Sequence, residues 1–184
     1  MFDLSLYILD IAYNSIRAQA KNLNIMIEII EKINRLTIEI LDDGKGIKKE
    51  NLGNVTSPFY TTRDTRKVGL GLPFIKEIAN QANGDIEILS EENEYTKVKI
   101  WMDYIHIDRP ELGDLSMTIY NLCLNDILVN FIFRFNDQEF IFKKSEVLEI
   151  LDGVPLTEYQ IMKYIRSYIK DNICEVKGDT KWSH

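Results

Sequence analysis

The alternation of apolar and polar residues in this chain predicts an α+β fold with a sheet covered by helices on one face, in two layers. A small C-terminal α+β unit follows it. Two observations predict this. Apolar residues recur at helical spacing from Leu4 to about Ala20 and again from Gly71. Runs that alternate with period two lie between and after those stretches, so each strand has one face to bury, and the helices supply its cover.

Taken in order, Leu4, Ile8, Ile11, Ala12 and Ser15 form one stripe of the first helix. Leu23 to Ile30 and Leu36 to Leu41 read as strands, the second setting Leu36, Ile38 and Ile40 against Thr37 and Glu39. Asp42-Asp43-Gly44-Lys45-Gly46 then ends the strand in a tight loop, because its glycines reach backbone dihedrals closed to other residues. Ser57 to Lys67, with Pro58 and several charges, has no sustained period and reads as an exposed connection. The next helix starts near Gly71 with Pro73 in its first turn, turns Phe74, Ile75, Ile78, Ala79 and Ala82 inward, and is closed by Gly84. Ile86 to Ser90 and Thr96 to Met102 complete a strand pair around an acidic turn.

Asp108-Arg109-Pro110 marks a boundary, giving units 1–108 and 109–184. The second unit reads as a helix from about Asp114 to Asn125, a hairpin from Ile127 to Phe142 turning at Asn136-Asp137, and a helix near Ser145 to Leu151. A last helix begins at Thr157, where Thr157 and Gln160 have capping-box spacing, and carries Ile161, Ile165, Tyr168 and Ile169 inward.

Composition narrows the function. The 184 residues are 45% hydrophobic and 28% charged, the balance of a globular chain long enough to bury its own core. A formal net charge of -7 repels a phosphate backbone, which argues against a general nucleic-acid role. Cys123 and Cys174 are too few and too scattered for a disulfide framework or a zinc site, and read as reduced thiols. Asp3 and Asp10 interrupt the N-terminus where a signal peptide needs positive charge and an apolar run, and no stretch is apolar for long enough to span a bilayer, so the expected location is cytoplasmic.

Some residues could carry chemistry. Asp10 and Asn14 are one helical turn apart on one face, where an amide oxygen suits magnesium and a carboxylate can orient an attacking group; a solvated helix face explains the same spacing. Asp42, at the end of a buried strand, can only accept hydrogen bonds when ionised, so it selects a donor such as the adenine amine over the guanine carbonyl, although turn residues are often Asp too. Gly69-Leu70-Gly71 before a helix leaves backbone N–H groups for a polyphosphate, or simply ends a loop. Arg63, Arg66 and Lys67 add positive charge in an acidic chain.

The order of these pieces resembles a known family. Asp10 to Asn14, then Asp42-Asp43-Gly44-Lys45-Gly46-Ile47, then Ser57-Pro58-Phe59-Tyr60-Thr61-Thr62-Arg63, then Gly69-Leu70-Gly71-Leu72 resemble the N, G1, F and G2 boxes of the GHKL superfamily. That superfamily has the Bergerat, histidine-kinase-like ATPase fold and includes sensor histidine kinases, serine-kinase anti-sigma factors, DNA gyrase and mismatch-repair MutL proteins. The resemblance covers roughly residues 3 to 107 and looks most like the histidine-kinase branch.

The resemblance implies ATP and Mg2+ as cofactors, with Asn14 the magnesium ligand, Asp42 the adenine contact, and Gly44 and Gly46 the loop that lets the base approach. It implies that Gly69, Leu70 and Gly71 serve the phosphates together with Thr62, Arg63 and Lys67, and that Asp10 is the catalytic carboxylate. Asp10 stands where the family usually has Glu, which retracts the carboxylate by roughly an ångström. Arg66-Lys67-Val68 replaces the usual Gly-Thr, and the segment that would cover ATP is short. Both departures bear on turnover and lid closure rather than on binding. The first motif begins within ten residues of Met1, so the expectation is a chain without a phosphoacceptor hairpin ahead of it. The expectation is a stand-alone protein kinase or ATP-dependent regulator of a separate protein partner, with homodimerisation possible; the alternative is a nucleotide sensor with little turnover.

Overall fold

The computed structural model describes residues 3–53, 55 and 71–178. Its elements are α1 (Leu4–Arg17), β1 (Asn22–Ile30), a 3-10 turn (Glu31–Ile33), β2 (Arg35–Asp42), α2 (Lys49–Leu52), α3 (Gly71–Gln81), β3 (Asp85–Glu91) and β4 (Tyr95–Asp103). After them come α4 (Leu115–Cys123), β5 (Leu128–Phe135), β6 (Gln138–Lys143), α5 (Lys144–Leu151) and α6 (Tyr159–Lys177). The architecture is the expected α+β sandwich of helices on a sheet.

The strands form one six-stranded sheet in the order β3-β4-β2-β1-β5-β6. Alternate residues of each central strand are buried on one face: Leu23, Ile25, Ile27 and Ile29 of β1, Leu36, Ile38 and Ile40 of β2, Val98, Ile100 and Met102 of β4. They pack against Leu4, Ile8, Ile11 and Ala12 of α1 and Ile75 and Ala79 of α3 in a single apolar cluster. That burial is the main favourable term in folding, at about 25 cal/mol for each Å² of apolar surface removed from water.

The chain beyond the expected boundary joins the same sheet. β5 pairs in parallel with β1, Leu23 opposite Val129 and Ile27 opposite Phe133, and β6 returns antiparallel beside it. Phe131, Phe133, Phe140 and Phe142 are buried, as expected of a hairpin core. The segment also fastens the start of α1. Leu4 N–H donates to the Glu111 carbonyl and Ser5 N–H to the Leu112 carbonyl, each at 2.9 Å, satisfying donors that the first turn leaves without partners.

Three local expectations need correction, and a fourth, at Gly84, holds with a different backbone geometry. Phe74 is 46% exposed, because Pro73, Ile75 and Ala79 form the inner stripe of α3 and Phe74 lies off it. Gly84 N–H does close α3, on the Ala79 carbonyl at 2.7 Å, but Asn83 is the residue in the left-handed conformation, with φ 58. Gly84 is glycine for space, since a Cβ there would lie 1.7 Å from the Trp101 carbonyl oxygen. The last helix is capped at Glu158 with no side-chain hydrogen bond, so Thr157 and Gln160 form no capping box. Tyr168 is 41% exposed and stacks on Tyr164, while Ile165 and Ile169 are the buried residues of that helix.

Candidate functional site

β2 runs out of the sheet at Asp42, and its last alternation turns this carboxylate to the helix-covered side, where only 5% of the residue is exposed. Ser15 of α1 donates its hydroxyl to Asp42 Oδ2 at 2.6 Å, and Gly44 donates its N–H to Oδ1 at 2.9 Å. A carboxylate has about four acceptor positions, so lone pairs remain for a further N–H donor. Burial pushes the Asp42 carboxyl above the ordinary 3.8, against the Ser15 and Gly44 bonds, and the neighbouring Asp43 charge adds to the rise.

Asp43 does the opposite work. Its carboxylate accepts the Lys21 and Asn22 N–H groups at 2.7 and 2.8 Å and the Asn22 amide at 2.6 Å, tying the loop to the start of β1. Burial alone would raise this group, but the bonds from the Asn22 side chain and the Asn22 and Lys21 backbone outweigh it and hold it below 3.8. The rest of the loop is stitched on both sides. Lys45 N–H reaches the Ala18 carbonyl at 3.0 Å and Ile47 N–H the Ser90 hydroxyl at 2.8 Å. Gly44 has no room for a side chain, since a Cβ would sit 2.8 Å from that of Ala18; Gly46 has φ +63 and the Glu91 carbonyl where its Cβ would be.

On α1, Asn14 directly precedes Ser15, and its amide oxygen accepts from Arg17 Nη1 at 2.7 Å. Asp10 lies a turn earlier, partly exposed, with its carboxylate against Gly71 at the start of α3. The structure thus brings Asp42 and Gly44 to the end of α1 at Ser15 and Ala18, sets Gly46 against Glu91, and brings Gly71 to Asp10. Thr62, Arg63, Lys67, Gly69 and Leu70 lie outside the described residues.

Ser15, Asp43 and Arg17 make contacts that the local sequence pattern does not mark. Ser15 falls within the apolar stripe, where its one signal is a hydroxyl at a position where alanine would pack as well. A depression of about 420 Å³ lined by Tyr104, Ile105, His106, Ile107 and Arg109 involves none of these residues. It follows β4 at the end that pairs with Arg35, opposite to the end where Asp42 pairs with Thr96.

The helix-covered sheet thus carries a buried acceptor at a strand end with a glycine loop beside it. The family model described as "Histidine kinase-, DNA gyrase B-, and HSP90-like ATPase" matches residues 3–106, more than half of the chain. The chain belongs to this ATPase family. It is 28% identical over 99 residues to "Sensor histidine kinase ZraS" of Escherichia coli (strain K12), covering 54% of this chain and 21% of that protein. It is 39% identical over 79 residues to "Sensor protein RprX" of Bacteroides fragilis (strain YCH46), covering 40% of this chain and 15% of that protein. The chain therefore spans about a fifth or less of the length of these relatives.

Among solved structures, the N-terminal domain of a DNA repair protein superposes with a TM-score of 0.55 at 15% identity, covering 77% of this chain and 52% of that one. This likeness concerns the fold alone. It takes in more of the chain than residues 3–106 supply, so it reaches into the segment that carries β5 and β6.

Proposed function

We propose that this chain binds Mg·ATP and phosphorylates, or regulates through ATP occupancy, a separate protein. Supporting this reading above all is Asp42, a buried carboxylate whose orientation is fixed by Ser15 and Gly44 and which keeps acceptor capacity for the adenine amine. Guanine offers a carbonyl oxygen at that edge, which an ionised carboxylate rejects.

The donor set toward the other end of the nucleotide fits a magnesium ion. Asn14 supplies a neutral, hard amide oxygen suited to a cation that keeps most of its waters, once Arg17 gives up its bond to that oxygen. When bound, the ion offsets charge on the phosphates. Asp10 orients the acceptor hydroxyl or imidazole and takes its proton, and Arg63 and Lys67 neutralise the transferred group. A nucleotide sensor with little turnover is the second reading, favoured by Asp10 standing where the family usually has Glu.

The test is the melting temperature of the chain with and without Mg·ATP, alongside radiolabelled ATP and candidate protein acceptors. A stabilisation by ATP that GTP does not reproduce is expected, and a labelled acceptor that Asn14→Ala fails to label. No shift with either nucleotide would sink the binding reading, whereas a shift without label or hydrolysis would leave the sensor.

A further inference from the structure

Gly71 opens α3 and does not have a left-handed φ, so its backbone conformation does not by itself require glycine. The reason lies across the gap to α1. A Cβ built on Gly71 would stand 2.1 Å from Asp10 Oδ2 and 3.1 Å from its carboxyl carbon, with the Asp10 Cβ at 3.6 Å. Outside α3 and the chain neighbours of Gly71, the three heavy atoms nearest that position all belong to Asp10. The missing side chain of Gly71 is therefore a notch shaped to one carboxylate.

We infer that Gly71 is a positioning residue for the Asp10 carboxylate: it lets the first turn of α3 close on that group and sets where its oxygens stand. The inference rests on the ATP-binding reading for its chemical consequence, and it gives Gly71 a role different from a plain phosphate contact. It also accounts for a short acid at position 10. The carboxylate already touches the Cα side of α3, so its reach is set by the approach of the helix as well as by its own length. A methyl group at Gly71 must push Oδ2 aside by more than an ångström to reach ordinary van der Waals separation, a displacement on the scale that costs about 100-fold in rate when it affects a reacting group.

The experiment is a double-mutant cycle in the full chain, with wild type, Gly71→Ala, Asp10→Ala and the double variant. Three readings are taken for each: the melting temperature, the additional shift with Mg·ATP, and kcat and KM for ATP. Gly71→Ala alone is expected to lower the melting temperature and to reduce kcat about 100-fold with KM changed by less than about threefold. In the Asp10→Ala background the same methyl group is expected not to lower the melting temperature and to leave the ATP shift unchanged, because the carboxylate it displaces is gone. Equal losses in both backgrounds would overturn the pairing, and so would a Gly71→Ala chain that raises KM and leaves kcat intact. A wild type stabilised by ATP but without turnover would overturn the positioning role in chemistry. A wild type with no ATP shift would instead remove the nucleotide reading, while the melting temperatures would still decide whether Gly71 and Asp10 are coupled.

Discussion

The two ends of the candidate site are built differently. Around Asp42 every group is buried or tied: Ser15 and Gly44 hold the carboxylate, Asp43 is anchored by Asn22 and Lys21, and the loop is stitched to Ala18 and Ser90. Around Asn14 and Asp10 the side chains are partly exposed, and the amide oxygen of Asn14 is lent to Arg17. Under the proposed function, a base would meet an acceptor already fixed by its neighbours, while phosphate and metal contacts would fall to groups that must exchange partners.

This contrast breaks most severely at Gly46. Alanine there must hold φ +63 with its Cβ 2.0 Å from the Glu91 carbonyl oxygen, so Gly46→Ala is expected to cost about 3 kcal/mol of stability, measured by denaturant unfolding, and to abolish the ATP shift. Asp42 separates binding from folding. Asp42→Ala leaves the Ser15 hydroxyl and the Gly44 N–H without an acceptor, at about 1–3 kcal/mol, whereas Asp42→Asn keeps an acceptor for Gly44 and lets the Ser15 hydroxyl turn to accept. Both are expected to lose the ATP shift, but only the alanine variant should melt much lower.

The pH dependence has a definite sign. Asp42 has its folded value raised above 3.8, so its ionised form carries a burial penalty that disappears as the pH falls through that raised value. Wild type is therefore expected to gain stability relative to Asp42→Asn as the pH drops toward 3.8, while ATP affinity weakens over the same window; parallel curves for the two proteins would contradict it. Ser15→Ala, removing one donor to that carboxylate, is expected to cost about 1 kcal/mol and to weaken ATP binding several-fold by calorimetry. At the exchangeable end, Asn14→Ala should change stability by less than about 0.5 kcal/mol and yet remove the magnesium dependence of nucleotide binding.

The sequence made the rigid end largely legible, because its features are local. Period-two alternation placed Asp42 at a strand end, and paired glycines announced a loop that only glycine could make. Hydrogen bonds across the fold were not legible. Ser15 sits in an apolar stripe, and nothing near it in the chain shows that its hydroxyl faces a carboxylate 27 positions later. Gly84 illustrates the same limit, since its neighbour Trp101 comes from the far strand of a hairpin and a local rule assigns it the wrong reason. The parallel pairing of β1 with β5 left no trace in either segment, because a parallel partner needs no adjoining turn to announce it.

That pairing has a consequence for how the protein is made. β1 emerges early from the ribosome, but its second neighbour does not follow until the Leu128–Phe135 stretch has been synthesised, and the opening turn of α1 waits for Glu111 and Leu112. Contacts between residues so far apart are closed late and at a high entropic toll, so folding is governed by a long-range docking event rather than by local order. The nascent chain must hold the ATP-family segment incomplete, with a bare strand edge that invites other chains, until Leu128–Phe135 has emerged.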